Sequence, residues 1–150
     1  MPQKLLASYI LICERVIEEK DGVLSVIRMA DIYGVWPAAL ESTTGARFGI
    51  QLQAAITAKA VPEDTDEHHF AVKLIRPKGE CSLLLEKSQR MRSRIFGPPG
   101  GASFTLKLGA AVKEMGTHYV TLEADGEEVA RAPFTLLPEL PGRRASSEIR

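Results

Sequence analysis

Two cysteines, one tryptophan and three histidines are all this 150-residue chain offers of the side chains most used for crosslinks, stacking and metal capture. Two cysteines make no disulfide framework, and no Cys-x-x-Cys or Cys/His zinc spacing is present. An excess of one charge is missing as well. Nineteen Lys and Arg balance nineteen Asp and Glu, so no global field gathers nucleic acid or an anionic membrane, and either would need a local patch. Nor is there an apolar run that could span a bilayer, which takes about 20 residues. Leu5 to Cys13 comes nearest, but it closes on Glu14-Arg15 with no small-x-small cleavage site. A buried first strand is expected there rather than a secretory leader, and with it a cytoplasmic protein.

Catalytic signatures are also wanting. There is no Gly-x-Ser-x-Gly elbow and no nucleophile–base spacing. Gly97-Pro98-Pro99-Gly100-Gly101 superficially imitates a phosphate loop, but no Lys-Ser/Thr follows and two prolines remove two N–H donors. No catalytic residue, cofactor or metal is assigned, and the chain is expected not to be an enzyme. Cys13, Trp36 and Cys81 stand in the order of an immunoglobulin domain. However, Trp36 lies against Pro37, and no tyrosine stands two residues before Cys81. Two free thiols are expected.

What is present is ordinary globular material, 45% hydrophobic and 25% charged. Its length suits one domain, expected over residues 1–138, with a disordered tail over 139–150. Period-2 alternation dominates. Phe48, Ile50, Leu52, Ala54, Ile56 and Ala58 share one parity, and Phe70, Val72 and Leu74 share another, each the mark of a strand with one face in the core. Leu5 to Tyr33 reads as a long first hairpin punctuated by Asp21-Gly22. Residues 34–47, rich in Gly, Pro, Ser and Thr, read as a crossover loop. Arg76-Pro77-Lys78-Gly79 is a turn in which glycine takes the left-handed position. Gly116 to Leu136 is a closing hairpin around Asp125-Gly126, with His118, Val120, Leu122 and Ala124 facing inward. The sum is an all-β antiparallel β-sandwich of about eight strands, immunoglobulin-like or Greek-key.

Three phrases taken in order carry a resemblance. They are Leu11 to Ile27 with its Gly-x-Leu-Ser-Val-Ile second strand, the Arg-Pro-Lys-Gly turn at 76–79, and Gly-x-His-x-Val-x-Leu-x-x-Asp-Gly at 116–126. Together they resemble a bacterial family of small uncharacterised β-sandwich proteins, over roughly residues 8 to 136. The chain departs from that pattern at His118, where the family usually carries an aromatic such as tyrosine. The resemblance implies a fold and a bacterial source, and no activity.

Four groups of residues are candidates for function. Asp64 to His69 is the densest set of donors, but His68 and His69 point to opposite faces of a strand and cannot chelate together. Arg90, Arg92 and Arg94 share a parity and could present three guanidinium groups to an acidic partner, or could simply protect an edge strand from pairing. Tyr33 and Trp36 could form an aromatic anchor on the crossover loop. His118 is expected to be a structural corner residue, one ring nitrogen bonding nearby backbone. The leading expectation is a non-catalytic interaction module with a protein partner, using Tyr33, Trp36, Arg90, Arg92 and Arg94. A homo-oligomer through an edge strand is open; nucleic acid and membrane are not expected. A small-ligand or carbohydrate-binding sandwich and an enzyme of unrecognised type are the alternatives.

Overall fold

The computed structural model describes residues 5–20, 24–29, 32–35, 52–61, 64, 66–91 and 101–138. Among them nine strands form two sheets: β1 (Leu5–Glu18), β2 (Leu24–Met29), β3 (Ile32–Val35), β4 (Gln53–Ala60), β5 (Glu67–Ile75), β6 (Cys81–Arg90), β7 (Gly101–Lys107), β8 (Gly116–Ala124) and β9 (Glu127–Pro138). One sheet runs in the order β2-β1-β4-β7 and the other β3-β9-β8-β5-β6. The all-β sandwich expected from alternation is what the chain forms.

The parities locate the core. Ala54, Ile56 and Ala58 of β4, Phe70, Val72 and Leu74 of β5, and Val120 and Leu122 of β8 are completely buried. Their layer is closed by Phe104 of β7 and by Phe134 and Leu136 of β9. Full burial of such a side chain is worth about 1.5–3 kcal/mol, so the shared face of each strand fixes its register. Turn chemistry agrees with the sequence. Asp125 (φ 52°) and Gly126 (φ 85°) give the paired left-handed conformations of a type I′ hairpin turn. Gly79 (φ 92°) closes the Arg76 turn, its N–H donating to Arg76 O at 2.9 Å.

The first hairpin needs correction. Val23 to Tyr33 is not one strand. β2 pairs antiparallel with β1 only from Cys13 opposite Met29 to Glu18 opposite Leu24. The chain then changes sheets, and β3 pairs parallel with β9, Ile32 opposite Thr135 and Val35 opposite Pro138. The count therefore rises from about eight strands to nine, and one pairing in an otherwise antiparallel sandwich is parallel. Both halves of the stretch are extended and apolar, so local pattern cannot reveal that they serve different sheets. Residues 36–51, 92–100 and 139–150, and with them Trp36, Arg92 and Arg94, lie outside the described residues.

Candidate functional site

Asp64 and His68 form a closed corner with Asp125, which arrives from the β8–β9 turn. His68 starts the buried parity of β5 and is 7% exposed; Asp64 is 2% exposed. The ring lies between two carboxylates, Nε2 at 2.7 Å from Asp64 Oδ2 and Nδ1 at 2.6 Å from Asp125 Oδ2. The remaining oxygens are occupied too: Asp64 Oδ1 accepts the Asp66 N–H and Asp125 Oδ1 accepts the His69 N–H, each at 2.9 Å. Burial works to lower the His68 pKa, but hydrogen bonds and charge from Asp125 and Asp64 outweigh it and hold the pKa above the ordinary value. For Asp125, burial pushes upward while the His69 amide and the His68 ring pull further, leaving its carboxyl below the usual range. The arrangement is a doubly anchored imidazolium that ties the loop before β5 to the turn after β8. No ring nitrogen is left over for a proton relay.

His69 lies on the outer face, 2.8 Å from Glu86, so the two neighbouring histidines diverge as strand geometry requires. Among the described residues, no group of three or more His, Cys, Asp or Glu is arranged to hold a metal ion. Cys13 is a buried free thiol on β1 and Cys81 an exposed one on β6. They sit in different sheets.

His118, completely buried at the other end of the same sheet, makes the corner bond expected of it. Its Nδ1 donates to Gly116 O at 3.1 Å, and its ring stacks on Phe134 with centroids 4.9 Å apart and planes 8° from parallel. Its Nε2 is buried with no hydrogen-bond partner among the described residues. Burial accordingly drives the His118 pKa below the ordinary value. Donation from Nδ1 makes Nε2 the acceptor of a neutral ring, a structural role with no free proton to exchange.

Of the interaction residues named from sequence, Tyr33 is half-buried, its ring packed against the core. Arg90 is exposed at the end of β6, opposite Glu67 of β5. β6 is an outermost strand, the position its charges suggested. It is also protected there: Leu85 faces Val72 and Leu83 faces Lys73, leaving Leu84 as a bulge, and Glu86, Lys87 and Arg90 line the strand. A bulge and charges both discourage pairing with a further strand.

The flank between β1 and β9 is different, and sequence reasoning did not find it. On one edge of β1, β4 pairs with Leu5 to Cys13. On the other edge, β2 covers β1 only from Cys13 onward, so Leu5 to Ile12 has no strand beside it among the described residues. β9 is in the same condition. β8 runs along one edge, while β3 covers only Thr135 to Pro138 of the other. Between these two edges opens a cleft of about 390 Å³ lined by Ile10, Leu11, Ile12, Met29, Arg131, Ala132 and Pro133. Met29 is 60% exposed at its mouth. The one charged lining side chain is already neutralised, since Arg131 donates to Glu128 at 2.7 and 3.0 Å and lies over the Tyr119 ring. The only trace in the sequence is that Leu5 to Cys13 is apolar on both parities.

No protein-family profile matches the chain, and no curated protein does. Among solved structures it is similar to an immunoglobulin-like protein from Pseudomonas aeruginosa, at 10% identity and a TM-score of 0.38, over 85% of this chain and 91% of that one. It is also similar to part of an alkylpurine DNA glycosylase from Pseudomonas fluorescens, solved bound to DNA containing an abasic site analog. That match has 13% identity and a TM-score of 0.38, over 57% of this chain and 25% of the glycosylase. This chain therefore matches about a quarter of the glycosylase's length. Likenesses this distant say nothing about activity or ligand. No helix among the described residues is long and apolar enough to cross a membrane.

Proposed function

We propose that the chain is a non-catalytic protein-interaction module of the bacterial cytoplasm, and that its contact surface is the open flank between β1 and β9. One observation carries the reading: a stretch of β1 and a stretch of β9 with no strand beside them among the described residues border the same cleft, with Met29 exposed beside it. Polypeptide partners are recognised by such edges, and a flexible thioether at the rim adapts to their side chains. A carbohydrate platform needs several exposed aromatics, and Tyr9 is the single aromatic among the exposed large hydrophobic side chains described. Catalysis by His68 is disfavoured because both its nitrogens are taken up by carboxylates.

The test is affinity capture from the native host with wild type, Met29→Glu and Ala132→Glu, and with Leu83→Glu as a control on β6. The reading predicts one stoichiometric partner that wild type and Leu83→Glu retain and both flank variants lose. It fails if the partner survives both flank substitutions, or if nothing copurifies while small molecules raise the melting temperature.

A further inference from the structure

We infer that the His68 corner is a proton-operated latch. When the imidazolium gives one proton to the solvent, its bond to Asp64 holds, its bond to Asp125 breaks, and the β8–β9 turn is released from the start of β5. None of its parts belongs to the flank between β1 and β9, so the latch stands apart from the interaction reading.

A protonated imidazole carries two N–H donors, and a neutral one carries one donor and one acceptor. Both ring nitrogens of His68 face carboxylate oxygens, Nε2 at 2.7 Å from Asp64 and Nδ1 at 2.6 Å from Asp125. Only the protonated ring satisfies both, so losing one proton must undo one contact. Accessibility decides which. The Asp64 side chain is completely buried, whereas that of Asp125 is 54% accessible. Stranding Asp64 would leave a buried carboxylate short of a donor, while water can replace the ring at Asp125. The proton therefore leaves Nδ1, and the neutral ring keeps its Nε2–H on Asp64. A lone pair then faces the Asp125 carboxylate, a repulsive contact that the exposed side chain relieves by turning away.

The movement reaches the backbone because Asp125 holds on with both oxygens. Oδ2 takes the His68 ring and Oδ1 takes the His69 N–H at 2.9 Å, so rotation of the carboxylate loosens both. The Asp125 N–H, donating to His69 O at 2.8 Å, still tethers the turn. Phe70 opposite Ala124 is the next pair inward, so the turn opens without taking the β5–β8 ladder apart.

The other charged groups nearby have their own places. His69 turns to the outer face and meets Glu86 of β6 at 2.8 Å, and Glu67 stands opposite Arg90 on that face. On the inner face β6 presents Gln89 opposite His68, and Lys87, whose ammonium sits over the Phe104 ring. Glu123 of β8 holds Lys73 at 2.9 Å, and Glu127 begins β9 exposed, opposite Ala124. Burial opposes the charge on His68, but Asp125 and Asp64 outweigh it and keep its pKa above the ordinary value near 6.5. The latch is therefore closed at neutral pH and opens on the alkaline side.

The test titrates the full chain, carrying isotope-labelled histidine, from about pH 5 to 10, with long-range proton–nitrogen spectra to tell imidazolium from either neutral tautomer. Amide hydrogen exchange is followed over the same range. Expected are an imidazolium at neutral pH and the Nε2–H tautomer above the transition. At the same midpoint the protection of the His69 amide should fall at least tenfold, while Val72 and Val120 in the ladder keep theirs. Asp125→Asn gives Asn-Gly, which suits a type I′ turn as well as Asp-Gly does. Its amide group can donate to a neutral Nδ1 while its oxygen still accepts the His69 N–H. In this variant the His68 midpoint should fall and the His69 amide should stay protected across the range. An Nδ1–H tautomer above the transition would mean that Asp64 lets go instead, and would overturn the latch. So would a His68 transition that leaves the His69 amide protected, or a ring in one protonation state throughout. Loss of His69 protection in Asp125→Asn at the wild-type midpoint would overturn it as well.

Discussion

The closed corner at His68 and the open flank at β1 use opposite kinds of residue to opposite ends. At the corner, two carboxylates and an imidazole, the groups most readily suspected of chemistry, satisfy one another at 2.6 and 2.7 Å and pin two turns together. On the flank, Leu11, Met29, Ala132 and Pro133 have no chemistry to advertise, yet they border backbone that no strand among the described residues pairs with. In this protein titratable groups maintain the architecture, while the binding surface proposed above is a sheet edge. A buried polar cluster is a sign of function only when some of its valence is left over.

That contrast predicts where substitutions hurt. The largest effect is expected from His68→Ala, which leaves the 2%-exposed Asp64 without its counterion. Removing one partner of such a pair costs about 3–5 kcal/mol. The exposed position of Asp125, whose side chain is 54% accessible, places the loss at the lower end, readable as a shift of the urea midpoint. His68→Gln, which can still donate to one carboxylate, should recover part of it. A loss below about 1 kcal/mol, the size of an ordinary surface change, would show that the corner is not the clamp described.

Next in size are the flank substitutions. Met29→Glu, at an exposed side chain, should reduce partner affinity at least tenfold, equivalent to about 1.4 kcal/mol, at unchanged stability; Ala132→Glu should reduce it as much and also lower stability, because Ala132 packs against the core. The reverse pattern, lost stability with binding retained, would make the flank a part of the core.

Smaller effects come with pH, and their signs divide the two buried histidines. His68 has a raised folded pKa, so its stabilisation is complete below the ordinary histidine value near 6.5 and is lost as pH rises through the raised value. His118 has a lowered one, so its contribution is present above about 6.5 and is lost as pH falls toward the depressed value. Thermal melts across pH 5 to 9 should therefore lose their alkaline decline in His68→Gln and part of their acid decline in His118→Phe. His118→Phe exchanges a bond of about 1 kcal/mol to Gly116 for relief of an unpartnered buried nitrogen, so at pH 7 it should lie within about 1 kcal/mol of wild type. Smallest of all, Leu83→Glu on the bulged β6 edge should change neither affinity nor stability measurably.

Much of this architecture was legible from residue order. Ala54, Ile56 and Ala58, or Phe70, Val72 and Leu74, announce their faces because burial of one side of a strand imposes period 2. Asp125-Gly126 announces its turn because few residues tolerate two left-handed conformations in succession. His118 was recognised as a corner residue by its spacing from Gly116. The sheet change between Met29 and Ile32 was not legible, since extended apolar residues look alike in either sheet. Nor was the approach of Asp125 to His68, 57 positions apart, because no local rule connects a turn with a distant strand end. The edge of β1 left without a strand among the described residues was hidden for the same reason: a strand's sequence records its faces, while its edges depend on which strands arrive beside it.

Amide hydrogen exchange with and without the captured partner compares the two edges directly. Strong protection of β1 amides between Ala7 and Ile12 on partner binding, with β6 amides from Cys81 to Arg90 unchanged, is the result the open flank predicts. Protection of β6 with β1 unaffected would contradict it.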